Sequence, residues 1–137
     1  RMLDVQRSLR HTKMFAAIAQ ALVYQGSCDY ENGILEEDCS IEFLAENIWK
    51  ASRFGFDSEI VDPISLKILS IKDKIKEMLD YIEPALAFFN NDEVINDVQN
   101  ILLNGTEGDS QISIYQQYDM DTLKTSLLDN VDYNYEF

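Results

Sequence analysis

The sequence predicts a mainly α-helical fold, with one strand at the N-terminus followed by five or six helices. Apolar residues recur at spacings of three and four along most of the chain, which is the period of a helix with one buried face. Serine, asparagine or aspartate precedes several of these segments and glycine follows them, as is typical of helix ends. The first six residues, RMLDVQ, instead alternate as a strand does.

Composition narrows the class of protein. The 137 residues are 46% hydrophobic and 26% charged, which is close to the globular average and argues against wholesale disorder. Eleven Lys and Arg against 25 Asp and Glu give a net charge of −14. Because that sign repels phosphate backbones, nucleic acid is not expected as a partner. No apolar run is long enough for a bilayer, so no membrane partner is expected either.

The cysteines indicate the cellular compartment. Cys28 and Cys39 are the only two, and both lie in a stretch of polar, loop-like composition. With the single His11 they form neither a disulfide framework nor a zinc site. A reduced, cytoplasmic protein is the expected reading.

The first two helices are placed by spacing and by stop signals. We expect the first at about residues 9–24, with Gly26 as its stop and a loop over 26–39. The second begins after Ser40 as N-cap and ends at Gly55 in the left-handed conformation. The buried residues are expected to be Phe15, Ile18 and Leu22 in the first helix and Ile41, Leu44, Ile48 and Ala51 in the second.

The later elements follow the same logic. Residues 57–63, DSEIVDP, are expected to be an extended exit, because the residue before a proline avoids the helical region. Ser70 caps a third helix, with Asp73 in an acidic capping-box position, and Pro84 is expected to kink or restart it. Asn91 or Asp92 opens a fourth helix that NGTEG closes; a fifth segment spans about 109–118 and a last helix about 121–130. The buried residues of the third and fourth helices are expected to be Ile71, Ile75, Met78 or Leu79, Ile82, Val94, Val98, Ile101 and Leu102.

The ends of the chain predict its domain organisation. A lone strand at residues 1–6 leaves backbone groups unpaired. We therefore expect the C-terminal piece of a longer protein, divided within or just after a sheet. Residues 7–130 would form a helical region, and the tail 131–137 is assigned no structure.

Three stretches, in order, resemble one family. RMLDVQ is similar to the last sheet strand, Glu-x-Arg-x-x-Asp-x-Gln, of the bacterial carboxylate–amine ligases of the glutamate–cysteine ligase type 2 family. ENIWKASRFGFDSEIVDP resembles that family's Asn-Arg-(Trp/Phe)-x-Ala-x-Arg-Tyr-Gly-Leu-(Asp/Glu) segment and its exit to Asp-Pro. ILLNGTEGDSQ resembles the closing helix and Gly-Thr-Gly-Ala-x-Arg-Gln. Ile48 and Ser110 stand where the family has basic residues, and His11 replaces a common aspartate.

The resemblance implies a fold and an activity. The parent fold would be α+β with an antiparallel sheet, glutamine-synthetase-like, and this chain would be the C-terminal part of one catalytic domain. The parent would be an ATP-dependent ligase that phosphorylates an amino-acid carboxylate and lets an amine displace the phosphate. Such chemistry asks for Mg²⁺ on the phosphates and for cationic donors where charge accumulates. The implied metal ligands lie upstream, with none in this chain, so this fragment alone is expected to be inactive.

The resemblance also assigns roles at the N-terminal strand. Arg1 corresponds to the arginine of the strand motif and would hold a phosphate or carboxylate by its bidentate guanidinium. The alternative is a surface ion pair. Side chains alternate along a strand, so Asp4 and Gln6 would face away from Arg1. We expect both to give structural support, Asp4 by capping the following helix or by pairing with a cation such as Arg53.

The second stretch supplies the other candidate residues. Asn47 and Arg53 are expected to line the substrate or nucleotide cleft, and Trp49 is expected to pack as structural support. A cation in the last helical turn is also explained by the helix dipole alone. His11 is expected to be a hydrogen-bonded structural residue.

One reading of a different class stays open: a non-catalytic, acidic helical module for interactions with other proteins. Homo-oligomerisation is expected in either case if an apolar face is left exposed.

Overall fold

The mainly α-helical prediction is confirmed. A computed structural model describes residues 8–34 and 40–129, so the predicted strand 1–6, the tail 131–137 and Cys39 lie outside the described residues. The elements in chain order are α1 (Leu9–Glu31), α2 (Ile41–Phe54), a 3-10 turn (Gly55–Asp57), β1 (Glu59–Val61), β2 (Ile68–Ser70), α3 (Ile71–Phe88), α4 (Glu93–Asn104), α5 (Glu107–Gln117) and α6 (Met120–Asp129).

Helix α1 is longer than predicted. It continues through Gly26, and the chain turns at Gly33, which has φ +68°. A glycine inside a helix costs only about 1 kcal/mol relative to alanine. Packing against α3 offsets that cost. Before Gly26, Ala21 is fully buried and Tyr24 stacks on Phe88 with ring centroids 4.9 Å apart, and after Gly26 Asp29 accepts from the Tyr81 hydroxyl. The predicted stop at Gly26 and the predicted loop from residue 26 were therefore wrong.

The core lies between α1, α3 and α4. In α1 the buried face is displaced by one position from the predicted one: Leu22 is 37% exposed, and Phe15 and Ile18 are only partly buried. In α3 and α4 the predicted Leu79, Ile82, Val94 and Val98 are buried. The buried cluster comprises Met14, Ala17, Ala21, Leu79, Ile82, Ala85, Leu86, Val94 and Val98.

Pro84 does not restart the helix. Helix α3 is continuous from Ile71 to Phe88 with Pro84 inside it. Proline removes the backbone donor that would serve the carbonyl of Asp80. Both residues are exposed, so the Asp80 carbonyl is open to solvent, while the adjacent Ala85 and Leu86 are fully buried and hold the helix on the core.

A two-stranded antiparallel hairpin stands within the region predicted to be helical. Strand β1 pairs with β2 in the register Glu59–Ser70, Ile60–Leu69, Val61–Ile68. The predicted extended exit is thus one strand of a sheet whose other strand the sequence did not reveal. Ser70 caps α3 as predicted, since Lys72 N–H donates to its hydroxyl, but Asp73 accepts from Lys76 instead of completing a capping box.

The link from α4 to α5 contains a helix cap in which both bonds of a capping box are formed. Gly105 ends α4 at φ +90°, and Thr106 begins α5 with a reciprocal capping box to Asp109. The predicted start at about residue 109 was therefore two residues late. No helix in the described part of the chain is both long and apolar enough to cross a membrane.

Candidate functional site

Helix α2 ends at a sharp corner that glycine makes possible. Gly55 N–H donates to the carbonyl of Ala51, and Gly55 has φ +54° and ψ −132°. The positive φ was predicted, and it favours glycine because a Cβ is strained there. Ser58, which is buried, then donates its hydroxyl to the Gly55 carbonyl at 2.8 Å. The chain is thereby turned from α2 directly into β1.

Asn47 locks this corner to the hairpin. Val61 N–H donates to Asn47 Oδ1 at 2.9 Å, and Asn47 Nδ2 donates to the Val61 carbonyl at 2.6 Å. The next residue, Asp62, directs its N–H to Lys67 on the β2 side. Because backbone groups alternate along a strand, those of Val61 face the opposite edge, where the amide takes the place of a neighbouring strand. We call Asn47, Trp49, Arg53, Gly55 and Val61 the α2 corner.

Arg53 presents its guanidinium at the surface of the α2 corner. It lies 6.0 Å from the ring centroid of Trp49 and 5.8 Å from that of Phe54. The two rings meet edge to face at 5.8 Å, and they are 57% and 51% exposed. Within the described residues no carboxylate pairs with Arg53. Rings that hold a guanidinium on one side leave its planar fork free for an anion.

Lys50, the neighbouring cation, is already paired. Its Nζ lies 2.7 Å from Glu46 Oε1, one turn earlier. Trp49, predicted to pack, contacts Phe54 and Arg53 in this structure while more than half of its surface stays exposed. Among the described residues, the cation at the α2 corner without a carboxylate partner is therefore Arg53 and not Lys50.

The predicted buried seam of α2 is largely exposed. Ile41 is 77% exposed, Leu44 43% and Ile48 61%; of the four seam residues, Ala51 alone is half-buried. The side of α2 that rests on β1 and the 3-10 turn carries Phe43, Asn47 and Ala51 instead. The prediction that this seam is buried is wrong for the described part of the chain.

Asp62 organises the loop that follows β1. Its Oδ1 accepts from the N–H groups of Ile64 and Ser65 at 3.0 and 2.8 Å, and its Oδ2 accepts from Lys74 Nζ at 2.5 Å. These donors, Lys74 foremost, lower the pKa of Asp62 and keep it ionised. The Asp-Pro exit of the family-like stretch thus ties the hairpin to α3.

A second concave region surrounds His11. Two adjoining cavities of about 300 and 390 Å³ share His11, Ile101, Asn104 and Gly105 as lining. The larger also contains Ser110, so the structure brings together His11 and Ser110, two positions where the sequence departs from the family pattern. His11 is half-buried there, and no hydrogen bond of its side chain is among those described.

Sequence reasoning missed the ion pair beside this region. Asp97 is only 7% exposed and accepts from Arg10 Nε at 2.9 Å and from Arg10 Nη2. The missed signal was an aspartate directly before Val98 in the buried face of α4. Arg10 and Asp97 are 87 positions apart, which no local pattern links.

The remaining predicted site residues are placed as follows. Arg1, Asp4 and Gln6 lie outside the described residues. Asn47 and Arg53 both lie on α2, the first bonded to Val61 and the second beside Trp49 and Phe54, while His11 lies in the separate region beside α4. Over residues 8–34 and 40–129, no group of three or more His, Cys, Asp or Glu side chains is arranged to hold a metal ion.

Within the described residues, the fold and the α2 corner together define a helical segment with an exposed cationic, aromatic surface and exposed apolar residues on α2. Comparison with known proteins gives the relatives. A Sorangium cellulosum protein named "Putative glutamate–cysteine ligase 2" is 25% identical over 115 residues, which is 84% of this chain and 31% of the relative. Proteins of the same printed name from Gloeobacter violaceus and Rhodospirillum rubrum are 26% identical over 85% of this chain and 31% identical over 54% of it, covering 32% and 19% of those relatives.

The resemblance to the glutamate–cysteine ligase type 2 family is thereby confirmed. The chain spans about a third of the length of the curated relatives that it matches over most of its own length. No protein-family model matches the chain. No solved structure matches it significantly.

Proposed function

We propose that this chain is part of an ATP-dependent carboxylate–amine ligase of the glutamate–cysteine ligase kind. Its substrates would be an amino-acid carboxylate, an amine and ATP. The protein would act in the cytoplasm. The similarity to relatives that carry this name supports the ligase class. The observation that carries the role of this chain is the exposed Arg53 guanidinium, held by two rings and facing no carboxylate in the described residues.

Arg53 suits the anionic partners of such a reaction. Its fork forms two parallel hydrogen bonds to a carboxylate or a phosphate. In a protein of net charge −14, an anion needs a local cation to be bound at all. We infer that Arg53 binds the substrate carboxylate or a nucleotide phosphate and steadies the negative charge that develops during transfer.

Asn47 would act by positioning. Both ends of its amide are engaged by Val61, which fixes α2 relative to β1. The predicted cleft role of Asn47 stays a prediction, and its contribution would reach the ligand through the placement of Arg53. Arg1, predicted to be catalytic, would supply the second cationic group from the N-terminal strand.

Magnesium would be held elsewhere. The described residues include no cluster of three potential ligands, so they do not fit the metal. We therefore propose that this segment forms the anion-binding wall of the cleft and that the metal ligands lie outside the described residues. The 137-residue chain alone is expected to release no ADP.

The experiment uses the gene product that contains this chain, with ATP, Mg²⁺, glutamate and a panel of amines including cysteine. ADP release that depends on both amino acid and amine is expected. Arg53→Ala should lower kcat/KM by about 10²–10³-fold, the loss typical of one charge-stabilising donor. Arg53→Lys should restore little, because a lysine lacks the bidentate fork.

Lys76→Ala is the matched control, since Lys76 makes an exposed i,i+3 pair with Asp73 on α3 and has no described contact with the residues of the α2 corner. Absence of ADP with every amine would remove the ligase proposal. Equal activity of Arg53→Ala and the wild type would remove the role of Arg53 alone.

The non-catalytic interaction module remains the second candidate. The observation that favours it is the exposed apolar side of α2, because contiguous exposed apolar surface marks interaction sites. An inactive gene product that still binds a protein partner through α2 would support it.

A further inference from the structure

Two adjoining cavities of about 300 and 390 Å³ lie between α1 and α4, beside the start of α5. Their size is that of a small-molecule site. No residue of the α2 corner lines either of them, so they form a second candidate site. We call the two together the His11 cavity; its lining includes His11, Phe15, Asn100, Ile101, Asn104 and Ser110.

The lining combines fixed apolar surface with polar side chains that lack described partners. Phe15 and Ile101 are half-buried and pack against the core, which holds them in place. Asn100 and Asn104 lie one turn apart on α4, and His11 faces them from α1. No hydrogen bond of these three polar side chains is among those that the described residues form. A few polar groups around apolar surface are the usual composition of a small-molecule site.

The charges of the lining favour an uncharged ligand group. Arg10 donates to Asp97 through both Nε and Nη2, so this guanidinium is already engaged. Glu107 is exposed, and its Oε1 accepts from Gln111 at 3.3 Å. An anionic group in the cavity would therefore meet no unpaired arginine or lysine among the described lining residues. A charge that leaves water without a partner is costly, so a neutral group fits best.

Adenine is the neutral ring whose edge matches this lining. The carboxamide of Asn104 offers a donor and an acceptor side by side, which pair with the ring nitrogen N7 and the exocyclic amino group of adenine. Guanine presents two acceptors at the same edge and prefers an arginine or a lysine, but Arg10 is held by Asp97. Phe15 and Ile101 offer apolar surface for the faces of the ring, and contact of a base with an aromatic side chain adds affinity.

Lys72 provides a cation near the same end of α5. It is the second residue of α3, where the helix dipole disfavours a positive charge. It is half-buried, with Nζ 5.6 Å from the ring centroid of Phe56. Hydrogen bonds from Thr106, which lines the cavity, lower the pKa of Asp109, and the charge of Lys72 adds to that effect. No carboxylate of the described residues forms an ion pair with Lys72, so its charge is available to a phosphate.

We propose that the His11 cavity binds the adenine base of ATP, with Asn104 bonded to the edge of the base, and that Lys72 binds the phosphate chain. The choice of ATP as the ligand rests on the proposed ligase function, to which this site adds the nucleotide-binding residues. Arg53 is not part of the site and keeps its proposed role.

Adenosine tests the base site separately from the ligase reaction, because it has no phosphate to transfer. His11 is the only histidine of the 137 residues, so its ring signals in the NMR spectrum of the ¹³C-labelled chain report on this cavity. Adenosine should shift these signals saturably, and guanosine at the same concentration should not. Asn104→Asp, which replaces the amide donor by an acceptor, should weaken adenosine binding about tenfold or more. Asn96→Asp, at an exposed position of α4 outside the lining, is the matched control and should bind normally.

ATP tests the role of Lys72 in the same titration. Lys72→Met should weaken the binding of ATP about tenfold and leave that of adenosine unchanged, because only ATP carries phosphates. Lys76→Met removes an equal charge from the exposed side of the same helix and is the control. Helical circular dichroism of each variant should match the wild type, which excludes loss of folding as the cause of weaker binding.

The outcomes separate this site from the ligase function. Absence of a saturable shift with adenosine, or an equal response to guanosine, would overturn the adenine site. Unchanged adenosine affinity in Asn104→Asp would overturn the role of Asn104, and equal ATP affinity of Lys72→Met and Lys76→Met would overturn that of Lys72. Saturable binding of adenosine, with no ADP release by the gene product, would support the base site and remove only the ligase proposal.

Discussion

Asn47 holds Val61 through both ends of its side-chain amide, accepting from the backbone N–H at 2.9 Å and donating to the carbonyl at 2.6 Å. The two residues are 14 positions apart, and the amide takes the place of a strand beside β1. This contact joins the helix that carries Arg53 to the hairpin that α3 supports through Lys74. The helix that carries Arg53 is therefore held on β1 by hydrogen bonds, while Ile41, Leu44 and Ile48 of that helix are exposed.

Asn47→Ala should lower the free energy of unfolding by about 1–3 kcal/mol, because it leaves two partly buried backbone groups of Val61 without partners. Urea denaturation measures the loss. Asn96→Ala, at an exposed position of α4, is the control and should change stability by less than about 0.5 kcal/mol. Equal effects of the two substitutions would show that the amide does not hold β1.

The stability of the fold should depend on the ion pair between the buried carboxylate of Asp97 and Arg10. Removing the guanidinium by Arg10→Met leaves Asp97, only 7% exposed, without its cationic partner. Urea denaturation should show a larger fall in midpoint than for Lys13→Met, which breaks the more exposed pair between α1 and α4, Lys13 with Glu93. A double-mutant cycle with Asp97→Asn isolates the coupling, and a coupling near zero would contradict the assignment.

Asp62 should make the stability of the fold depend on pH in the acidic range. Its pKa is lowered in the folded state, chiefly by the hydrogen bond from Lys74, so its contribution is fully present above the unfolded pKa of about 4. That contribution is lost as pH falls through the lower, folded pKa. Urea midpoints between pH 7 and pH 2 should therefore fall less steeply for Asp62→Asn than for the wild type. Parallel curves for the two proteins would count against the Asp62–Lys74 contact.

Asp62→Asn should also cost about 1–2 kcal/mol at neutral pH, a charged hydrogen bond discounted because Lys74 is 40% exposed. Asp73→Asn, which breaks an exposed pair on the same helix, serves as its control. A smaller loss for Asp62→Asn than for Asp73→Asn would contradict the tie between the hairpin and α3.

The hydroxyl of Tyr81 should ionise only at unusually high pH. Its hydroxyl donates to Asp29 Oδ2 at 2.6 Å, and this bond raises the pKa of Tyr81 to about 12. A raised pKa means that the contribution to stability is present below pH 10 and is lost as pH rises through about 12. Ultraviolet titration should show a phenolate step at high pH. This step should be absent from Tyr81→Phe and present in Tyr118→Phe, the control.

Most helix ends were predicted well, apart from the end of α1, and the buried faces of α1 and α2 less well. Ser70, Gly55 and Gly105 act as sequence reasoning expected, because caps and positive φ are decided by residues within one turn. In α1 the predicted face of Phe15 and Ile18 differs by one position from the buried Met14 and Ala17. Adjacent stripes of a largely apolar helix are nearly equivalent locally, and the partner helix α3 decides between them.

The sequence by itself determined the mainly helical class, most helix boundaries and the similarity to glutamate–cysteine ligase 2 proteins. Each of these depends on residues that are close together along the chain. The tertiary structure alone decided that Asn47 engages Val61, that Arg10 reaches Asp97 across 87 positions and that Ile41, Leu44 and Ile48 of α2 are exposed among the described residues. Those outcomes depend on which elements meet in space. A side chain's partner is set by that meeting and by the need to satisfy each buried polar group.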